Sequence, residues 1–179
     1  MTKTGALFDG QNLYHMVRHA FGSISAQVNP QALAWAVCHS NGWELTETRY
    51  YTGIHSSQEY AKLNAAVQAH IHKMQSIGVQ TYVRTLRYQK GIAREKGIDM
   101  RIALDAINAV YSQSVDVVLL FSQDQDFVEL AQEVRRLNRR LDRKVTIASA
   151  FPDATQVRGI YKTDWKSFSK SDYLGALFG

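Results

Sequence analysis

The sequence predicts an α/β fold with a central, mostly parallel sheet and helices on both faces. Segments of strand character alternate with segments whose apolar residues recur at helical spacing, and this alternation implies crossover connections between parallel strands. Val115–Phe121 is nearly all apolar, as expected of a central strand that is buried on both faces. A length of 179 residues with 45% hydrophobic residues suits one domain with a substantial core.

The first half of the chain is predicted to alternate strands with helices. Gly5–Asp9 is a short apolar segment that ends on an acid, and Glu44–Ile54 is rich in Thr and Tyr, which favour strands. Asn29-Pro30 opens a helix as an N-cap followed by a first-turn proline. A second helix, begun at Ser56 or Ser57 and ended by Gly78, leads into the alternating strand Val79–Tyr88; its apolar positions are Tyr60, Leu63, Val67, Ile71 and Met74.

The second half begins with a loop, Gln89–Gly97, and continues the alternation. A helix is predicted from about Ile98 to Tyr111, and an amphipathic helix follows the strand Val115–Phe121. Lys144–Ala150 is predicted as the last strand and Asp172–Phe178 as a short helix. The apolar positions of the amphipathic helix are Phe127, Leu130, Val134, Leu137 and Leu141.

Composition excludes several classes of protein. No apolar run reaches the roughly 20 residues of a membrane span, and the N-terminus lacks the apolar core of a signal peptide, so we expect a cytoplasmic protein with no membrane partner. Cys38 is the only cysteine, which excludes an intrachain disulfide and a cysteine-based zinc site. A formal charge of +5 is compatible with a polyanionic partner without establishing one.

Acidic residues fall where a parallel sheet has its working crevice, beyond the carboxyl ends of the strands. Asp9 ends the first strand, and Asp124 and Asp126 follow the strand Val115–Phe121. Asp99 lies in the first turn of the helix predicted from about Ile98 to Tyr111. At about 100° per residue, it shares the apolar face of this helix with Ala103, Ala106 and Val110. We therefore expect these four aspartates to converge.

Carboxylates that are held together repel one another, and a hard divalent cation is the usual reason to assemble them. Mg²⁺ and Mn²⁺ prefer oxygen ligands, and such an ion activates water against a phosphodiester. The alternative for Asp9, Asp124 and Asp126 is that they are helix caps and turn residues. Asp105, four residues after Arg101, is either an exposed ion pair or a supporting residue of the site.

Two basic stretches suggest contact with nucleic acid. The first surrounds the loop that leads into Asp99 and would hold a polyanion beside the acids; it contains Arg84, Arg87, Lys90, Arg94 and Lys96. The second, a run of arginines from Arg135 to Arg143, is either a solvated helix face or a nucleic-acid track. Strand tyrosines are either half-buried structure or stacking platforms for bases; they are Tyr50, Tyr51, Tyr82 and Tyr88.

Three blocks of the sequence resemble the motifs of NYN domains, the branch of PIN-like nucleases that includes LabA-type bacterial proteins. The blocks are Phe8–Leu13, Lys96–Asp99 continuing to Leu104-Asp105, and Phe121–Phe127, in the family's order. The likeness extends from about residue 4 to about residue 150, and Gly159–Trp165 also resembles bacterial members. We expect one domain over residues 1–179, with a core at about 4–150 and a C-terminal extension at 151–179.

The resemblance implies a PIN-like, Rossmannoid three-layer fold and Mg²⁺- or Mn²⁺-dependent hydrolysis of phosphodiester bonds, most often in RNA, single-stranded or structured. Carried over by motif, the metal-site acids are Asp9, Asp99, Asp124 and Asp126. Asn12 and Ser122 would be polar supports, and Lys96 would contact a phosphate. The oligomeric state stays open, and a homo-oligomer is compatible with the sequence.

One position departs from the family, because Gln123 stands where the third block usually has glycine. If this position requires a positive φ or the close approach of a phosphate, Gln123 would distort the site. Two hypotheses therefore stand beside each other: a metal-dependent ribonuclease, and a catalytically weak nucleic-acid-binding or regulatory module on the same fold. A small-molecule phosphohydrolase would instead need a closed pocket.

Overall fold

Strands and helices alternate along the chain, as the periodicity of the sequence predicts. A computed structural model describes residues 1–89, 96–154 and 156–179, and the backbone alone of residues 92–94. The strands are β1 (Thr2–Asp9), β2 (Trp43–Ile54), β3 (Gln80–Thr85), β4 (Arg87–Gln89), β5 (Ile92–Arg94), β6 (Val117–Phe121), β7 (Thr146–Pro152) and β8 (Asp164–Phe168). The helices are α1 (Gly10–Phe21), α2 (Pro30–Ser40), α3 (Ala61–Ser76), α4 (Ile98–Ser112), α5 (Val128–Leu141) and α6 (Lys170–Gly175).

The main sheet has six strands in the order β3-β2-β1-β6-β7-β8, and every neighbouring pair in it is parallel. From β1 at the centre the chain builds outward through β2 and β3. It then returns through α4 to β6 and builds outward on the other side through β7 and β8. The first strands are thus added on one side of β1 and the later strands on its other side. The topological switch point of the sheet therefore lies between the carboxyl ends of β1 and β6.

Two apolar cores cover the two faces of the sheet. One contains residues of α1, α2, α3 and α6, and the other contains residues of α4 and α5. Neighbouring residues of β1 alternate between them, since Phe8 packs in the first core and Leu7 in the second. The predicted α/β class, with a parallel sheet and helices on both faces, is confirmed. Among the described residues, no helix is long and apolar enough to cross a membrane.

The structure adds elements that the sequence did not predict. α1 begins on Gly10, a poor helix former, and directly follows a strand, so its periodicity was missed. β8 is an edge strand in which only Phe168 is buried, which leaves it without an apolar pattern. Lys144–Ala150 is therefore not the last strand of the sheet, and the predicted strand Val79–Tyr88 divides at Leu86 into β3 and β4. β4 pairs with β5, inside the segment predicted as a loop.

Candidate active site

Asp9 stands at the carboxyl end of β1, at the switch point. It is 5% exposed, and one of its carboxylate oxygens accepts a hydrogen bond from the Asn12 backbone N–H at 3.0 Å, which caps α1. Side chains alternate along a strand, so Asp9 shares the face of Leu7, which is the face covered by α4. Asp9 is thus the cap of α1 and an acid at the carboxyl end of the central strand.

Asn12 ties the ends of the two central strands together. Its side-chain oxygen accepts a hydrogen bond from the Gln123 backbone N–H at 3.0 Å, just beyond β6. Its own backbone N–H donates to Asp9. These two hydrogen bonds therefore link the end of β1 to the loop after β6, and they give Asn12 a definite supporting contact.

The loop after β6 is organised by side chains that cap its own backbone. Ser122 is 1% exposed, and its hydroxyl accepts from the Asp124 N–H at 3.1 Å. Asp124 in turn accepts from the Asp126 N–H at 3.0 Å and caps a single 3₁₀ turn, Gln125–Phe127. These bonds hold Asp124 at the edge of the sheet with one carboxylate oxygen engaged. The cap role and the proposed ligand role are therefore compatible.

Gln123 adopts ordinary backbone geometry. Among the described residues, the non-glycine positions with positive φ are Gln113, Asp142 and Lys162, so the position that is usually glycine needs no left-handed conformation here. The expected distortion by Gln123 is therefore absent from the backbone. The neighbouring Gln125 side chain donates to the carbonyls of Gln123 and Gly159 and accepts from the Tyr161 N–H.

Asp99 lies in the first turn of α4 and is electrostatically coupled to the β6 loop. Partial burial raises the pKa of its carboxyl, and the negative charges of Asp124 and then Asp126 raise the pKa further. The charges of the β6 loop therefore act on the Asp99 carboxyl. These acids are nevertheless too far apart for three of them to share an ion in this arrangement. Within the described part of the chain, no group of three His, Cys, Asp or Glu side chains could hold a metal ion as it stands.

The donor chemistry nevertheless fits a hard divalent cation. Every candidate ligand is a carboxylate oxygen, which is what Mg²⁺ and Mn²⁺ prefer, and a cation would relieve the repulsion that raises the Asp99 pKa. Asp99 and Asp126 both keep contact with solvent, so an ion can reach their carboxylates even though partial burial raises the Asp99 pKa.

Asp99→Asn is expected to raise the melting temperature of the metal-free protein by about 1–2 °C at pH 7, because it removes a repelled charge at an exposed position. A carboxyl whose folded pKa is raised favours folding below its unfolded pKa of about 4 and loses that contribution as pH rises through the folded pKa. The gain should therefore vanish at pH 4. Scanning calorimetry at both pH values measures it; an equal effect at pH 4 and pH 7 would contradict the electrostatic cause.

Asp105 belongs to a different cluster. It is 7% exposed and accepts a hydrogen bond from the Tyr51 hydroxyl at 2.7 Å. It pairs with Arg101 at 3.1 Å and with Arg49 at 3.5 Å, so the expected contact with Arg101 is present but the carboxylate is buried, not exposed. Burial, followed by the bond to Asp105, raises the pKa of Tyr51. These contacts anchor α4 to β2, and we assign Asp105 no place among the candidate ligands.

Three of the predicted basic residues line one open groove. Arg84, Arg87 and Lys96 surround a volume of about 520 Å³ together with Val83, Thr85 and Leu86, and no acidic residue is among these described lining residues. Arg84 stacks over the Tyr82 ring at 5.4 Å, and Arg101 lies over the same ring at 5.1 Å. We call this volume the basic groove. Lys90 and the side chain of Arg94 lie outside the described residues.

The strand tyrosines differ in burial, and the arginines of the second basic stretch differ in their contacts. Tyr50 and Tyr51 are buried, in agreement with the structural interpretation, whereas Tyr82 and Tyr88 are half-buried. In the second basic stretch, Arg136 pairs with Glu133 and Arg135 donates to the Lys162 carbonyl, while Arg139 and Arg140 are exposed.

Comparison with known proteins gives a family and a fold. The model of the NYN domain matches residues 3–158. A solved structure of a protein of unknown function, VPA0982 from Vibrio parahaemolyticus RIMD 2210633, is similar with a TM-score of 0.63 and 24% identity, over 96% of this chain and 95% of that one. At this identity the likeness shows the fold alone. No curated protein matches the chain.

Proposed function

The chain belongs to the NYN domain family, and on that premise we propose that it is a nuclease that hydrolyses RNA phosphodiester bonds with Mg²⁺ or Mn²⁺. The observation that carries the proposal is that Asp9 and the β6 loop acids follow the carboxyl ends of two neighbouring parallel strands, which the bond between Asn12 and Gln123 links, and that the β6 loop charges act on Asp99. A protein has little reason to hold like charges in mutual repulsion unless a cation or a reaction uses them.

Each residue has a definite task in this proposal. Asp9, Asp99, Asp124 and Asp126 would hold the cation, which when bound supplies the charge that activates water and neutralises the phosphodiester. Asn12 keeps the ends of β1 and β6 at a fixed spacing, and Ser122 orients the backbone of Asp124. The basic groove holds the phosphates on either side of the scissile bond. Because Lys96 lines this groove three residues before Asp99, it links phosphate binding to the acids.

The test of the proposal is cleavage of an end-labelled single-stranded RNA. Products should form with Mn²⁺ or Mg²⁺ and should be absent when a chelator removes the ion. A single-stranded DNA of the same sequence, run in parallel, measures the preference for RNA. Cleavage that persists in excess chelator would exclude the metal-dependent mechanism.

Replacing both groove arginines, Arg84→Gln with Arg87→Gln, is expected to weaken RNA binding and to flatten its salt dependence. Each lost phosphate contact on a single strand reduces the slope of log K against log salt by about 0.7, so the double variant should lose about 1.4. Titrations followed by fluorescence anisotropy at several salt concentrations measure the slope.

The matched control for the groove is Arg139→Gln with Arg140→Gln, which removes the same charge from the exposed face of α5. If α5 is a solvated face, the slope stays at its wild-type value. An equal fall in both double variants would mean that binding depends on net charge alone and that the groove has no special role.

A second function, a nucleic-acid-binding module with little catalysis, is favoured by one observation. Among the described residues, no three acids stand close enough together to ligate an ion without moving. Calorimetric titration with Mn²⁺ separates the two functions: RNA affinity without metal binding supports the module, and metal binding that is lost in Asp99→Asn supports the nuclease.

A further inference from the structure

A second cavity shares one lining residue with the basic groove and lies on the face of the sheet that carries the first core. Its volume is about 460 Å³, within the roughly 300–1,000 Å³ range of small-molecule sites. Gly10 and Gln11, the two residues after Asp9, line its edge, and Leu86 lines both this cavity and the basic groove. The cavity and the basic groove therefore meet at the Leu86 side chain, and the edge of the cavity includes the two residues that follow Asp9 in the chain.

The cavity differs from the groove in charge. Among the described residues that line it, none is Lys, Arg, Asp or Glu. Its walls are aliphatic and aromatic, with contributions from Tyr14, Tyr50, Leu63, Val67 and His70. Burial lowers the pKa of His70, which disfavours a positive charge on this ring, and its Nε2 is hydrogen-bonded to the Val28 carbonyl at 2.8 Å. An anionic phosphate finds no counter-charge here, whereas an uncharged planar group does fit.

At the edge of the cavity, the backbone of Gly10 lies directly against the ring of Tyr50. A Cβ on Gly10 would lie 2.7 Å from the hydroxyl of Tyr50, so only glycine lets the start of α1 approach this ring. Tyr50 itself stacks on Phe8 in the first core, with ring centroids 6.2 Å apart. The ring is thus fixed between the core and the residue that follows Asp9.

We propose that this cavity is a nucleobase subsite: the phosphates of a single strand lie in the basic groove, and one base turns out of the strand into the cavity at the start of α1. Aromatic and aliphatic walls suit the flat face of a base, and Leu86, which lines both volumes, puts this subsite next to the groove that would hold the phosphates. The inference rests on the proposed nucleic-acid substrate and adds to it a requirement for a base at a defined place next to the reacting phosphate.

The experiment compares binding of a short single-stranded RNA with binding of a fully abasic phosphodiester chain of the same length. Both titrations are followed by fluorescence anisotropy in a chelator, so that cleavage does not intervene. Wild-type protein is expected to bind the intact strand at least about fivefold more tightly, since stacking one base contributes about that much. Leu63→Trp, which fills the cavity from α3, should remove most of this ratio and leave affinity for the abasic chain unchanged.

The matched control is Leu104→Trp on α4, since Leu63 and Leu104 are 50% and 52% exposed and Leu104 is not among the lining residues of the cavity. Val67→Phe, one turn further along α3, fills the cavity with a smaller side chain. An unchanged ratio in both cavity variants, or an equal fall in Leu104→Trp, would overturn the subsite. Binding with a base-dependent ratio but no cleavage would overturn the nuclease alone, and cleavage without such a ratio would overturn the subsite alone.

Discussion

Asp124→Asn is expected to reduce metal-dependent RNA cleavage by at least about 100-fold. Changes to residues that merely support a metal ligand cost about 10–100-fold, so the loss of a ligand charge should cost more. The asparagine keeps the fold, because its side-chain oxygen still accepts from the Asp126 N–H and still caps the 3₁₀ turn after β6. The change therefore removes charge and little else.

Initial rates of cleavage at saturating Mn²⁺ measure this effect, with thermal melting to show that the variant is folded. Asp116→Asn is the matched control: Asp116 precedes the same strand at its amino end, and its carboxylate also accepts from a backbone N–H, that of Lys3, at 2.8 Å. Its cleavage rate should stay at the wild-type level. Equal rates for wild type and Asp124→Asn would exclude the proposed mechanism.

The position of the candidate site follows from the sequence because strand ends are strong signals. Val117–Phe121 is buried at every position, and the acids after it stand at a carboxyl end whichever neighbour the strand acquires. Asp9 is the last residue of β1, a strand that is also buried over most of its length. What the sequence does not contain is the order of the strands, which places β1 beside β6 and so makes these two ends neighbours.

Contacts between distant segments lie beyond sequence reasoning for the same reason. The bond from the Gln123 N–H to Asn12 joins residues 111 positions apart, and the contacts of Gln125 with Gly159 and Tyr161 bring the C-terminal segment to the β6 loop. No periodicity encodes such pairs. β8 shows the same limit, since an edge strand with one buried side chain has no pattern to detect.

Helical phase did not determine the environment of either acid of α4, Asp99 or Asp105. The charges of Asp124 and Asp126 act on Asp99, but its side chain is exposed and not buried with the apolar stripe. Asp105 lies at the margin of that stripe, where an exposed ion pair and a buried one have the same spacing from Arg101. The outcome is decided by Tyr51 and Arg49 on β2, which close over the carboxylate from a strand 54 residues away.

Asp105→Ala is expected to destabilise the protein by about 2–3 kcal/mol, the largest stability effect we predict. Removing one partner of a buried ion pair costs about 3–5 kcal/mol because the other charge stays uncompensated, and the partial exposure of Arg101 and Arg49 reduces this figure. The Tyr51 hydroxyl, buried beneath the same carboxylate, loses its acceptor as well. For a domain of this size the melting temperature should fall by about 5–10 °C.

Urea denaturation and thermal melting measure the loss, and Glu133→Ala provides the comparison. Glu133 pairs with Arg136 at 3.2 Å on the surface of α5, and an exposed pair of this kind contributes less than about 1 kcal/mol. Similar losses in the two variants would mean that the cluster around Asp105 contributes no more than a surface pair. A large loss confined to Asp105→Ala would establish that α4, and with it Asp99, is held against β2 by this buried carboxylate.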